Sequence, residues 1–529
     1  MRTVGVLLVL ACSAVQSPAP TFRAATRLVQ VTVVVHGKDG KPLPGLTAAD
    51  FKLYEDGKEQ PIQIFSVESD RVTAPPPARL AAGTFSNRLD GRAPSSVTVI
   101  LFDRLNTGFA DQKQARDQIV GFLSEIQRAD RVALYVLESD SVRILHDFTT
   151  DATSLLRALD RYRATPASAA LAAAEAQTPD FAPTGDAAED AAMEAFLRKS
   201  TEMMAADANV RRGESTLSAL EAIANHLAGI RGRKNLIWVS AGFPNVVIDE
   251  RGQARTMTKE VSRATRAVNN ANIAIYPVDA RGLMGAFASP PGARTPAFTT
   301  LSTVRANTDV MESLAEDTGG RAFFNSNDIS GAVRRAIDDG RVTYVLGYYP
   351  SHGQWDGKFR EIKVRVNRPG VDVRHRKGYL ALPAQQDAAK RKEALLDALR
   401  SPLEATGIGL TAEITRADTP GQAAGEVLVG IHVDPGSVTL EKTGAFWEGA
   451  CDLLIAQSAA GGSLTRDLDT TVNLRLPDGK HDEMIKEGMN VNRKVVLRAD
   501  TLRLLIVVRD AATGAIGSVV IPANKLKGL

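Results

Sequence analysis

The chain has 529 residues, 44% of them hydrophobic and 24% charged, with a net charge of +3. That length suits about two to four globular domains of ordinary composition. A near-neutral balance with no long Lys/Arg run excludes an electrostatic case for nucleic acid, and no apolar run is long enough for a membrane-spanning helix. Two cysteines, Cys12 and Cys451, exclude a disulfide framework.

Residues 1–20 have the layout of an export signal: Arg2, an apolar core over 4–10, then small residues. Val9-Leu10-Ala11-Cys12 loosely matches a lipoprotein box, but Leu10 fits its position poorly. Export to the periplasm or the exterior is therefore expected, with lipid anchoring at Cys12 the lesser alternative. Cys451 lies in an apolar strand pattern and reads as a small buried hydrophobe.

Residues 21–70 form a β module. Strands are expected at 28–35, 50–54 and 62–67, the last two joined by a hairpin at 55–58. His36 sits at a strand end beside turn formers and reads as a solvated loop histidine. Residues 71–95, rich in Pro, Ala, Arg and Gly, read as a linker.

Residues 96–340 alternate strand and helix patterns. VTVILFDRLNT (97–107) opens them with a strand apolar on both faces that ends in Phe102-Asp103. A carboxylate at the carboxyl end of a central parallel strand lies where open α/β sheets bind ligands. A helix carrying Ile119, Phe122, Leu123 and Ile126 follows, then a strand at 131–137 with an antiparallel partner at 142–145. Asp151 is placed to cap the next helix. Residues 166–207 are alanine-rich, lack a broad apolar stripe and read as a partly helical mobile insertion, a lid being the alternative. Leu217, Leu220, Ile223, Leu227 and Ile230 mark a strong amphipathic helix. Strands follow at 235–240 and at 272–278, the latter ending in Asp279, then a short helix at 309–317 and a last one through Ile329, Val333 and Ile337. The alternation predicts a doubly wound, mostly parallel α/β sheet. Glu316, Asp338 and Asp339 read as solvated carboxylates on helix surfaces.

Residues 341–383 return to β structure and are expected to pack with the N-terminal module, so that β-sandwich elements flank the α/β domain. Tyr348-Tyr349 and Trp355 read as ordinary packing, an exposed aromatic contact being the alternative. Residues 384–529 predict a leading helix at 386–399 and then short strands at the spacing of a β-sandwich. Signatures of α/β-hydrolases, zinc proteases, P-loops and Cys-x-x-Cys redox sites do not occur.

Several stretches together resemble bacterial secreted proteins with a von Willebrand factor A-related domain, of the acidobacterial type. They are LVQVTVVV with LTAADFKLYEDGKEQPIQIFSVE, VTVILFDRLNT, GRKNLIWVSAGFPN, NIAIYPVDARGL, LAEDTGGRAFF and YVLGYYPS with KVRVNRPGVDVRHRKGYLA. The resemblance covers about two thirds of the chain and weakens beyond Pro383. It implies a metal-ion-dependent adhesion site: a hard cation such as Mg²⁺ held by Asp-x-Ser-x-Ser, a loop Thr and a later Asp, with a vacancy for a partner's acidic group. Carried over, Asp103 matches the first Asp, Thr107 the second Ser, and Thr216 (or Ser215) the loop Thr. Leu105 replaces the first Ser and Ala241 the last carboxylate. The implied site is degenerate and its hold on Mg²⁺ weak. Asn106 carries an oxygen but is expected to point elsewhere, and Asp279 reads as a cap. The expectation is an exported, non-enzymatic adhesion-type protein. It would bind a protein partner at the top of the sheet, around Asp103, Thr107, Thr216 and residues 240–245. The alternative is an ion-independent scaffold of an envelope or surface assembly.

Overall fold

The computed structural model describes residues 28–69, 80–81, 83–88, 96–124, 126–127, 130–138, 141–162, 186–230, 232–244, 246–248, 254–281, 297–324, 328–352, 355–381, 388–416 and 425–526. The expected export signal at 1–20, Cys12, Asn245 and the first part of the alanine-rich segment lie outside these residues. Among the described residues, no helix is long and apolar enough to cross a membrane.

At the centre stands a five-stranded sheet in the order Ile273–Asp279, Arg233–Ser240, Ser96–Asp103, Val132–Leu137, Val142–Thr149. The first four strands are parallel and the fifth is antiparallel. The uninterrupted run SVTVILFD is buried from Val97 onward because helices cover both of its faces. Val99 and Leu101 pack with residues of helices Ala187–Leu227, Thr258–Asn270 and Ala297–Thr318. Ile100 and Phe102 pack with residues of helices Phe109–Ser124, Ala152–Arg161 and Ile329–Asp339. The chain leaves the Ser96–Asp103 strand to one side and returns to its other side. The strand order therefore reverses at Asp103, the place where such sheets open a crevice.

Two four-stranded sheets share a core of Val31, Val33, Leu53, Tyr344, Leu346 and Val364. One holds Val29–His36, Ile64–Ser69, Val342–Tyr348 and Asp372–Arg374; the other holds Phe51–Glu55, Lys58–Gln60, Phe359–Val366 and Gly378–Leu380. The hairpin at 55–58 differs from expectation in its second strand. Phe51–Glu55 pairs with Lys58–Gln60, and Ile64–Ser69 crosses to the other sheet.

In the C-terminal part, strands Leu410–Arg416, Glu426–Val433 and Met489–Val496 form a sheet with Thr84–Ser86, which comes from the expected linker. Asn87 ties that segment down: its amide nitrogen donates to the carbonyls of Ala405 (2.7 Å) and Ile408 (2.8 Å) and its oxygen accepts from Leu410 N. A lone Thr-Phe-Ser tripeptide is too short to show a periodicity, so the strand was invisible in the sequence. A second sheet runs through Phe446–Ser458, Leu464–Pro477, Arg503–Asp510 and Ile516–Pro522. Cys451 is buried in the core between the two, its thiol pushed up to about 12 by desolvation.

Two expectations about surface residues are overturned. His36 and Asp339 are both buried and bonded to each other, His36 Nε2 lying 3.0 Å from Asp339 Oδ1. Arg374 donates to both Asp339 oxygens (2.6 and 2.7 Å), and the Tyr276 hydroxyl donates to Oδ2 (2.7 Å). Tyr276 in turn accepts from Arg233. This network joins the N-terminal β unit to the amino end of the central sheet. Tertiary contact buried residues whose local sequence reads as turn and helix surface. Tyr348 is buried too, with its hydroxyl donating to the buried Glu55 (2.5 Å), while Tyr349 is exposed.

Candidate functional site

The carboxyl end of the central sheet gathers the residues singled out from the sequence. Pairing sets Leu101 beside Trp238, so Asp103 and Ser240 fall one step further on the same face. Helix Ala187–Leu227 covers that face and brings Thr216 over it, fully buried. The Asp103 carboxylate is fully buried and accepts four hydrogen bonds. Asn106 N reaches Oδ1 (3.0 Å); Asn106 Nδ2 (2.8 Å), Trp238 Nε1 (2.9 Å) and Ser240 Oγ (2.9 Å) reach Oδ2. Desolvation pushes its pKa up, against the pull of the bonds from Asn106, Trp238 and Ser240.

Asn106 is the residue whose role the sequence reading missed. Its amide points inward and donates to Asp103 Oδ2 and, at 2.8 Å, to Thr216 Oγ1. The Thr216 hydroxyl donates in turn to the carbonyl of Arg212 (2.7 Å). The Thr107 hydroxyl donates to the Asp103 carbonyl (2.5 Å) and accepts from Ala241 N (3.3 Å). Asp103, Thr107 and Thr216 thus meet in one network, centred on an amide nitrogen. A carboxylate only accepts, so it selects the NH₂ side of the Asn106 amide.

A hard cation does not fit this donor set. Both carboxylate oxygens are occupied by donors, and Leu105 is buried in the apolar core. Ala241 offers no side-chain oxygen, and the Asn106 NH₂ stands between Asp103 and Thr216 with donors, not lone pairs. Asp279 lies in register with Ser240 on the adjoining strand and is gripped by Arg281 through two bonds of 2.9 Å.

A second cluster lies at the same end of the sheet and gave no signal in the sequence. Glu138, buried just past the second strand, accepts from the Tyr162 hydroxyl, which accepts from Arg104 Nη1 (2.7 Å). Burial, reinforced by Glu138, raises Tyr162 to about 12. Arg104 Nε also donates to Gln112 (2.7 Å), and Gln112 holds the Thr107 carbonyl (2.8 Å). The two clusters are therefore mechanically joined through the loop after Asp103.

The site defines the chain structurally as an α/β protein with a closed polar cradle at the strand-order reversal. No family model matches the sequence, and no curated protein matches it. Solved structures similar to it include the SpRpn10 VWA domain, at 12% identity and TM-score 0.20, over 46% of this chain and 96% of that one. A von Willebrand factor type A protein from Catenulispora acidiphila is 10% identical at TM-score 0.26, over 66% and 84% of the two chains. The open conformation of the pilus adhesin SpaC from Lactobacillus rhamnosus GG is 9% identical at TM-score 0.26, over 84% and 56%.

Proposed function

We propose that this chain is an exported, non-enzymatic protein-interaction module of the von Willebrand factor A class: a doubly wound sheet flanked by β-sandwich elements. Its contact face is the carboxyl end of the sheet, shaped without an ion. The carrying observation is the Asn106 amide bridging Asp103 and Thr216, which ties the loop after the central strand to the covering helix. A neutral donor there does the cross-linking that a cation would do, and leaves no coordination vacancy for a partner's carboxylate. Recognition then falls to the rim, where Arg104, Gln112 and Asp111 are partly exposed. Ser240 stands beside Asp103 and both are fully buried, which supports the non-enzymatic reading.

The test uses the full chain immobilised against cell-envelope extract in EDTA and in Mg²⁺. The expected result is a partner captured equally in both and lost on Arg104→Glu. Capture that requires Mg²⁺ overturns the ion-free face, and a hydrolytic activity abolished by Asp103→Ala overturns the non-enzymatic reading.

A scaffold role without any ligand is the second reading. The sewn joint between helix Ala187–Leu227 and the C-terminal part favours it: Thr406 Oγ1 donates to the His226 carbonyl (2.6 Å), and His226 Nδ1 meets the Glu404 carbonyl (2.7 Å). Under that reading Arg104→Glu changes nothing, whereas deletion of 384–529 abolishes assembly.

A further inference from the structure

The 14-residue strand Leu464–Pro477 stands at the edge of its sheet. Among the described residues it pairs only with Phe446–Ser458, so its other side turns a row of main-chain N–H and C=O groups outward. From Leu468 to Pro477 its side chains alternate strictly, the even positions half-buried and the odd ones exposed. Leu468, Val472 and Leu474 lean on the sandwich core from this edge. A bulge, a proline, a lysine or an inward-facing charge ordinarily blunts such an edge. Here the register shift opposite Ile455 and Ala456 lies at one end and Pro477 at the other. The nine residues between, LDTTVNLRL, hold none of these devices. Their only charges are Asp469 and Arg475, one of each sign, both on the exposed face. After Pro477 the chain turns away from the free edge. Asp478 accepts from Trp447 Nε1 (2.9 Å) and Lys442 (2.8 Å), on the side of the paired strand.

We propose that two copies of this chain pair along this edge, antiparallel about a two-fold axis at Val472, so that one sheet runs through both. That register is self-complementary at every position of the nine. On the exposed face Asp469 of each copy falls opposite Arg475 of the other, and Thr471 opposite Asn473. On the inner face Leu468 falls opposite Leu476, Thr470 opposite Leu474, and Val472 opposite its own counterpart. The rows continue into the neighbouring strand, where Arg475 lies beside Glu448 and Leu468 beside Ile455. Sliding the register by two residues sets Asp469 opposite Asn473 or Pro477 instead. Only the axis at Val472 therefore brings both charges of this run together. The main-chain ladder supplies the affinity, and the side-chain rows fix the register. Pairing uses up the free edge, so the contact closes as a dimer and does not grow into a filament. One added strand pair is a small interface, which places the dimer in the micromolar range.

Sedimentation velocity of the full chain, from about 1 to about 100 µM around that range, tests this. The expected behaviour is a concentration-dependent monomer–dimer equilibrium. Val472→Lys sets two ammonium groups at the axis and abolishes it, while circular dichroism and melting show the chain still folded. Asp469→Arg and Arg475→Asp each weaken pairing about tenfold, since each puts two like-charge cross-strand contacts into the dimer. An equimolar mixture of those two variants restores it, because both contacts are again opposite in sign. If Val472→Lys unfolds the chain, the exposed charge variants decide alone. A chain monomeric at every concentration overturns the proposal. So does a dimer that survives Val472→Lys, a mixture no tighter than its components, or a different protein that takes this edge while the chain stays monomeric.

Discussion

Two buried carboxylates mark the two ends of the central sheet, and they are neutralised in opposite ways. At the carboxyl end, Asp103 is surrounded by neutral dipoles alone: the Asn106 amide and backbone, the Trp238 indole and the Ser240 hydroxyl. At the amino end, Asp339 meets the Arg374 guanidinium in a bidentate grip, with His36 and Tyr276 beside it. Burial works to raise both. It prevails at Asp103, whereas His36 and Arg374 hold Asp339 down to about 2. Four hydrogen bonds satisfy geometry, but only an opposite charge compensates the lost hydration of an ion. The amino end is thus built as a permanent joint between two units. The carboxyl end is a cradle whose shape depends on a single amide.

That contrast can be broken most severely at Asp339. Asp339→Asn keeps the shape but leaves Arg374 at the joint with only the more exposed Asp372 as counter-charge, and is expected to cost about 3 kcal/mol in chemical denaturation. Asn106→Asp comes next. It sets a second carboxylate against Asp103 and is expected to cost about 2–3 kcal/mol in EDTA. Millimolar Mg²⁺ or Mn²⁺ should return most of that loss, because the variant now offers two carboxylates and a Thr hydroxyl. The melting temperature of the natural chain should not respond to either ion. A natural chain stabilised by Mg²⁺ would show that the amide does not replace the cation. Trp238→Phe removes one donor from Asp103 and is expected to cost about 1–2 kcal/mol in the same assay.

The smallest effect is in pH dependence, and it has opposite signs at the two ends. Asp339 has a folded value below its unfolded one, so its stabilisation is complete above about pH 4 and fades as pH falls toward about 2. Asp103 has a raised folded value, so its contribution is greatest below the unfolded value and is lost as pH rises through the folded one. On acidification from neutral pH, the natural chain should gain stability relative to Asp103→Asn and lose it relative to Asp339→Asn. Neither slope can exceed about 1.4 kcal/mol per pH unit. Equal slopes in the two comparisons would remove the distinction between dipolar and ionic compensation.

Lys234 and Glu68, near the amino-end joint, extend the lesson. Desolvation lowers Lys234 to about 7 and raises Glu68, although each carries the other among its opposing influences. A well-formed ion pair shifts its partners the other way. Proximity without contact therefore leaves both groups drawn toward neutrality, unlike the bidentate Arg374–Asp339 pair.

The sequence by itself determined the order and type of the central sheet's strands, but not that one helix runs from Ala187 to Leu227. Runs such as VTVILFD and NLIWVS are apolar without interruption, and only a strand covered on both faces accommodates that. The grouping of Asp103, Thr107 and Thr216 came from the family resemblance, not from any pattern in the residues themselves. Tertiary structure alone decided what those residues do. Whether Asn106 points outward or into the cradle depends on the loop path and on a helix that arrives more than a hundred residues later. The burial of His36 and Asp339 depends on two units docking end to end, and strand Thr84–Ser86 exists only because Leu410–Arg416 receives it. Local pattern records which face of an element is apolar. The partner that covers that face is chosen by contacts between distant segments, whose energies no short window of sequence contains.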